Sequence, residues 1–173
     1  MPKVSFVVPC YKLAQFLPEC VTSILGQTFQ DFEILIMDDC SPDNTPEVAR
    51  SFDDARVVYM RNEVNLGHLR NYNKGIELSR GQYVWLISAD DCLRRPYVLE
   101  KYIGLMDAHP EVGYVFCSAC GLRDGEETGI LEWSQHGATD TIFRGREFLW
   151  GLLDYNSIAA PTGMVRKELY DKF

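Results

Sequence analysis

The chain is short of everything that would tie it to a nucleic acid or a bilayer. Lysine and arginine number 17 against 25 acidic residues, a net charge of −8, whereas a protein that neutralises nucleic-acid phosphates needs the opposite balance. It has no basic patch of the kind that holds a peripheral protein on anionic lipid. No apolar run approaches the roughly 20 residues that cross a hydrocarbon core, so no transmembrane segment is expected. No signal peptide precedes the first strand-like run, which begins directly after Met1-Pro2-Lys3. Together these absences predict a cytoplasmic protein, at most one working at the inner face of the membrane. A GxGxxG turn and a phosphate-binding lysine loop are also missing, which excludes the two commonest backbone cradles for a diphosphate. The three histidines, His68, His109 and His136, are dispersed and have no ligand spacing.

Six cysteines are present, at 10, 20, 40, 92, 117 and 120. Spread through apolar and turn segments of a chain read as intracellular, they are expected as free thiols. Cys117 and Cys120 have redox spacing, but no second cysteine pair or histidine cluster completes a zinc site.

What is there is an alternation of strands and helices in 173 residues with 46% hydrophobic content, enough for one structural domain with a sizeable core. Val4-Ser5-Phe6-Val7-Val8 is an apolar run broken only by Ser5, as in a buried parallel strand. Helical spacing follows over Ala14 to Gln27, then a strand over Glu33 to Met37 and a short helix from the Pro42–Thr45 turn through Phe52. Arg56 to Met60 is the third strand. Leu66 to Ser79 is the third helix, with Gly81 read as its left-handed cap. Gln82 to Ser88 is the fourth strand, Tyr97 to Ala108 a helix, and Val112 to Cys117 the fifth strand. The pattern predicts an α/β, Rossmann-like, mostly parallel sheet covered by helices on both faces. After Cys120 the rhythm breaks. Gly121 to Asp140 reads as a hairpin or loop excursion, Arg144 to Leu153 as a helix and Gly163 to Arg166 as a short strand. The chain then runs into a helix at Lys172-Phe173, and an end inside an element predicts a segment of a longer protein.

In an open α/β sheet, ligands bind outside the carboxyl ends of the strands. The chemistry-bearing residues collect there. Strand one ends in Pro9-Cys10-Tyr11, strand two in Asp38-Asp39, strand four in Ser88-Ala89-Asp90-Asp91, and Asn65 and Gly67 follow strand three. Adjacent carboxylates repel unless a cation or donors compensate them. Mg²⁺ or Mn²⁺, hard ions that take oxygen ligands, would do so while also holding substrate phosphates. One acidic pair alone is more often a solvated turn; two pairs at equivalent strand ends favour a metal. Tyr11 is either a stacking platform for a nucleobase or a tyrosine packing a loop. Asp39 either accepts from a base N–H or caps the Ser41-Pro42-Asp43 turn. Trp85 alternates with the core side of its strand, while Trp133 and Trp150 either flank a sugar or cover the core. A phospho-acceptor receiver domain also sets aspartates at strand ends, but the Pro9-Cys10-Tyr11 ending and the excursion after Cys120 do not suit it.

Several ordered motifs resemble the family 2 glycosyltransferases. They are Val4-Ser5-Phe6-Val7-Val8-Pro9-Cys10-Tyr11, Ser23-Ile24-Leu25-Gly26-Gln27-Thr28-Phe29, and Glu33 through Met37 with Asp38-Asp39-Cys40-Ser41-Pro42-Asp43-Asn44-Thr45. Asn65-Leu66-Gly67, Asn73-Lys74-Gly75-Ile76 and Gly81-Gln82-Tyr83 continue the match over the first two-thirds of the chain. The resemblance implies a GT-A fold, a nucleoside-diphosphate-sugar donor (most often UDP-linked), a divalent metal, and hexosyl transfer with inversion to a saccharide or glycolipid acceptor. It implies residues 1–120 as the nucleotide-sugar-binding half and 121–173 as the incomplete start of an acceptor-side region. By the same resemblance Pro9 and Tyr11 belong to the nucleotide site, where Tyr11 stacks on the base, Asp39 binds the base edge, and Asp90 contacts ribose or metal. Asp91 ligates the metal, and Asn65, Gly67 and Arg70 line the nucleotide wall. Two departures stand out. The family's Asp-x-Asp-Asp metal motif begins here with Ser88, which contributes no charge. Its catalytic base, an acid downstream of a glycine-rich segment, has no counterpart in this chain. A module that binds nucleotide sugar without turnover is the alternative that this second departure leaves open.

Overall fold

The computed structural model describes residues 1–172; Phe173, at the end of the expected last helix, lies outside the described residues. Four strands run parallel: β1 (Val4–Cys10), β2 (Phe32–Asp38), β3 (Val57–Arg61) and β4 (Tyr83–Leu86). Between them lie α1 (Leu17–Leu25), α2 (Thr45–Arg50) and α3 (His68–Leu78). There follow α4 (Val98–Ala108), β5 (Tyr114–Val115), β6 (Cys120–Arg123), β7 (Glu126–Ile130), α5 (Gly145–Asp154), β8 (Met164–Arg166) and α6 (Lys167–Tyr170). The main sheet has the order β3-β2-β1-β4-β8-β5, with β8 antiparallel to both of its neighbours. The sheet is thus mostly parallel as expected, but the short late strand inserts in the opposite direction between β4 and β5.

All seven residues of β1 are buried, because helices cover both faces of the sheet. Phe6, Val8, Ile34, Ile36, Tyr83 and Trp85 face one side and pack with Leu17, Val21 and Ile24 of α1 and Leu99, Tyr102 and Met106 of α4. Trp85 is the centre of that layer, stacked between Phe6 at 5.4 Å and Tyr102 at 4.7 Å between ring centroids. Val7, Leu35, Met37 and Val84 face the other side, where Ile76 of α3 meets them.

Two glycines let elements approach. A Cβ on Gly75 would lie 2.4 Å from Val7 Cγ1, so α3 sits directly on β1. A Cβ on Gly81 would lie 2.6 Å from the Ser5 main-chain nitrogen. Gly81 is therefore small because β1 is next to it. It is no left-handed helix cap: α3 ends earlier, at Leu78, and Gly81 has no positive φ.

Several boundaries shift. Residues 11–16 form a turn and α1 starts only at Leu17, with Pro18 in its first turn. β4 stops at Leu86, although Ile87 and Ala89 still donate to the carbonyls of Val7 and Pro9 on β1. β5 keeps two residues of the six predicted. The excursion after Cys120 begins as a β6–β7 hairpin whose Asp124-Gly125 turn has both residues at positive φ, the geometry that suits a two-residue hairpin. All six cysteines are free thiols. No helix among the described residues is long and apolar enough to cross a membrane.

Candidate functional site

The end of β1 organises the site. The carbonyl of Cys10 accepts the N–H of Asp39 at 2.9 Å, and the carbonyl of Pro9 accepts the N–H of Ala89 at 3.2 Å. One strand end thus fixes the loop after β2 on one side and the loop after β4 on the other. Pro9 itself is buried and contributes this carbonyl. Tyr11 emerges between the two loops, 41% exposed, with the Lys12 ammonium 5.1 Å from its ring centroid. Lys12 and Cys40 both adopt φ near +60°, a left-handed conformation uncommon outside glycine. Ser41 ties these two turns together, its Oγ accepting the Lys12 N–H at 3.2 Å and its own N–H donating to Asp38 at 2.8 Å.

The first acidic pair divides into two roles. Asp38 is fully buried and accepts from the Tyr59 hydroxyl at 2.6 Å, Arg61 Nη1 at 2.7 Å and the Ser41 N–H. Its charge is consumed in holding β2, β3 and the Ser41 turn together. Asp39 faces the other way. Its Oδ1 accepts from Asn62 Nδ2 and the Leu66 N–H, both at 2.8 Å, and its Oδ2 from the Gly67 N–H at 2.9 Å. Gly67 has φ +80°, so the loop needs glycine at that point. Asn65 Oδ1 accepts the same Gly67 N–H at 3.0 Å, which makes Asn65 a brace of the loop. Arg70 stands exposed on α3, outside this network.

The second pair is built on a tight turn in which the Asp91 N–H donates to the Ser88 carbonyl at 3.0 Å. Asp90 is exposed and Asp91 half-buried. Burial, and after it the neighbouring Asp90 charge, lifts the Asp91 carboxyl from its usual range to about 6. The Tyr72 phenol of α3 faces the same pair: burial first, and then the Asp90 and Asp91 charges, raise it. An uncompensated carboxylate pair is what a hard divalent cation would relieve, and Mg²⁺ and Mn²⁺ accept a site of one or two carboxylates completed by substrate phosphates. Among the described residues no group of three or more His, Cys, Asp or Glu side chains could hold an ion unaided. The donor set therefore fits a metal shared with a ligand and does not fit a closed protein cage.

Asn62, Asn71 and Tyr72 stand in no motif that marks them as site residues, and Lys74 stands out only within Asn73-Lys74-Gly75-Ile76. Asn71 is 1% exposed and shares the buried face of α3 with Gly75, four residues on. A buried asparagine at that spacing was the available signal, since a buried amide must find partners. Beyond Asp91, Arg94 grips Glu127 of β7 (Nε to Oε1, 2.8 Å), so the hairpin is strapped to the segment that follows the acidic turn. Trp133 and Trp150 are both exposed, at 40% and 65%.

The family model described as Glycosyl transferase family 2 matches residues 5–172. Among curated proteins the chain is similar to glycosyltransferase GlyG of Streptococcus pneumoniae serotype 4, 33% identical over 111 residues, covering 63% of this chain and 37% of the relative. Among solved structures it is similar to S. aureus TarS 1-349 in complex with UDP-GlcNAc, at a TM-score of 0.77 and 20% identity, over 98% of this chain and 47% of that one. It is also similar to the mannosyltransferase PcManGT from Pyrobaculum calidifontis in complex with GDP-Man and Mn²⁺, at a TM-score of 0.70 and 19% identity, over 99% of this chain and 46% of that one. Such identities speak for the fold alone, and that fold is GT-A. The chain spans less than half the length of each of these three proteins.

Proposed function

The chain belongs to glycosyl transferase family 2, and from that premise we propose that it forms the donor side of an enzyme moving a sugar from a nucleoside diphosphate to an acceptor hydroxyl. Support comes from one convergence: Tyr11 stands exposed at the end of β1 between Asp39 on one flank and Asp90-Asp91 on the other. A base stacked on Tyr11 would present its edge to Asp39, whose Oδ2 has one acceptor position left after the Gly67 N–H. The diphosphate would then run toward Asp90 and Asp91, with Arg70 on α3 available to its negative charge. A divalent ion held by Asp91, with Asp90, would offset the charge that builds on the departing diphosphate. Ser88 contributes to this turn through its carbonyl, so the missing charge at that position leaves Asp90 and Asp91 as the carboxylates of the motif. TarS in complex with UDP-GlcNAc and PcManGT in complex with GDP-Man and Mn²⁺ share this fold, which supports both a nucleotide-sugar donor and a metal.

In this reading the chemistry inverts the anomeric carbon, and the acceptor is a saccharide or a glycolipid. Positioning and charge stabilisation are the work of the residues named here. Calorimetric titration of UDP, UDP-sugars, GDP and ADP, first with Mn²⁺ and then with EDTA, tests the donor site. Metal-dependent binding is expected, and binding indifferent to both metal and base would sink the assignment.

A further inference from the structure

Two side-chain amides join Asp39 to Lys74. Asn62, 4% exposed, follows β3 and donates from Nδ2 to Asp39 Oδ1 at 2.8 Å and to Asn71 Oδ1 at 2.9 Å. Its Oδ1 accepts Lys74 Nζ at 2.7 Å, and Asn71 Nδ2 donates to the Met37 carbonyl at 2.8 Å. Amide oxygen and nitrogen have nearly the same shape, so the network must decide which is which. Here both ends decide it. An ammonium only donates, so the Asn62 atom facing Lys74 is oxygen. A main-chain carbonyl only accepts, so the Asn71 atom facing Met37 is nitrogen. Both constraints give the same orientation between them: Asn62 must present its NH₂ to Asp39.

That orientation matters for what Asp39 can recognise. Oδ1 is saturated by Asn62 and the Leu66 N–H, and Oδ2 already takes the Gly67 N–H. The position left over accepts a hydrogen and offers none. A ligand must bring an N–H to it, as the ring N–H of uracil or guanine does; the corresponding ring nitrogen of cytosine or adenine is itself an acceptor. Without Lys74 the buried Asn62 oxygen loses its ammonium donor, and an amide that turns to find another sets oxygen against the Asp39 carboxylate, with Asn71 left as the second restraint on it.

We propose that Lys74 and Asn62 are positioning residues for base selection: Lys74, together with Asn71, sets the Asn62 amide, and Asn62 holds Asp39 with Oδ2 toward the base. This rests on Asp39 being the base contact. The test is calorimetry with Mn²⁺ present, titrating UDP, CDP and inorganic diphosphate into the native protein and into Lys74→Met, Lys74→Arg and Asp39→Asn. Should purines bind better, GDP and ADP replace UDP and CDP. Lys74→Met is expected to lose about tenfold in UDP affinity, the worth of one charge-assisted hydrogen bond. Its preference for UDP over CDP should fall by the same factor, with diphosphate affinity unchanged and Lys74→Arg restoring both. An unchanged UDP-to-CDP ratio in Lys74→Met, or an equal loss for UDP and diphosphate, would overturn the proposal. Asp39→Asn separates the two levels: if it keeps the native ratio, Asp39 is not the base contact. If it loses the ratio while Lys74→Met keeps it, the relay alone is wrong. Should Lys74→Met not melt cooperatively, Lys74→Ala is read by the same criteria.

Discussion

Replacing Asp91 by asparagine should stabilise the metal-free protein while abolishing metal-dependent nucleotide binding. The Asp91 carboxyl sits at about 6, lifted by burial and by the Asp90 charge. A carboxyl raised in the folded state contributes stability that is complete below its unfolded value near 4. That contribution is lost as pH rises through 6. A shift of roughly two units corresponds to a ceiling of about 3 kcal/mol at pH 7.5. Asp91 is only half-buried, and solvent screening reduces this to about 1–2 kcal/mol. Asparagine keeps the shape and drops the charge. Asp91→Asn should therefore melt about 2–8 °C above the native protein at pH 7.5 in EDTA, and the two should converge near pH 4. Adding Mn²⁺ with UDP should raise the native melting temperature by mass action and leave the variant where it was. A variant no more stable than native at pH 7.5, with a gap that ignores pH, would mean that the Asp91 charge is already compensated by protein. The metal site would then have to be sought elsewhere.

Tyr11→Ala should weaken UDP binding roughly 10- to 100-fold, the range for losing one base–aromatic stack, while Tyr11→Phe keeps it. Because the ring is 41% exposed, the melting temperature should hardly move, and calorimetry showing native affinity in Tyr11→Ala would remove it from the site. Gly81→Ala forces a methyl to within 2.7 Å of main-chain atoms of Val4 and Ser5. It should cost about 2 kcal/mol by overpacking, read as a drop of roughly 4–8 °C in a thermal melt; an unchanged melt would show that β1 can move away.

The layout of the sheet was legible because its signals are local. Val4 to Val8 is apolar but for Ser5 and Phe16 to Leu25 is apolar at helical spacing, so strand, helix and the carboxyl ends where ligands gather could all be placed from residues near one another. β8 was not legible as an antiparallel insertion. Three residues, Met164 to Arg166, carry no periodicity that names Trp85 and Val115 as the neighbours of Met164. The division of labour between Asp38 and Asp39 is a subtler case, since identical side chains adjacent in sequence end with opposite fates. Strand alternation supplies the missing step. Asp38 has the parity of Ile34 and Ile36, which face the α1 and α4 side of the sheet with Tyr59. There it meets the Tyr59 hydroxyl and Arg61 and is used up. Asp39 has the parity of Leu35 and Met37, which face α3. On that side lie Asn62, the Leu66 and Gly67 N–H groups, and behind them Asn71 and Lys74. Which aspartate keeps an acceptor position unused by the protein thus depends on what each face of the sheet brings to it. Those partners come from β3, the loop after it and α3, some 20 to 35 positions along the chain.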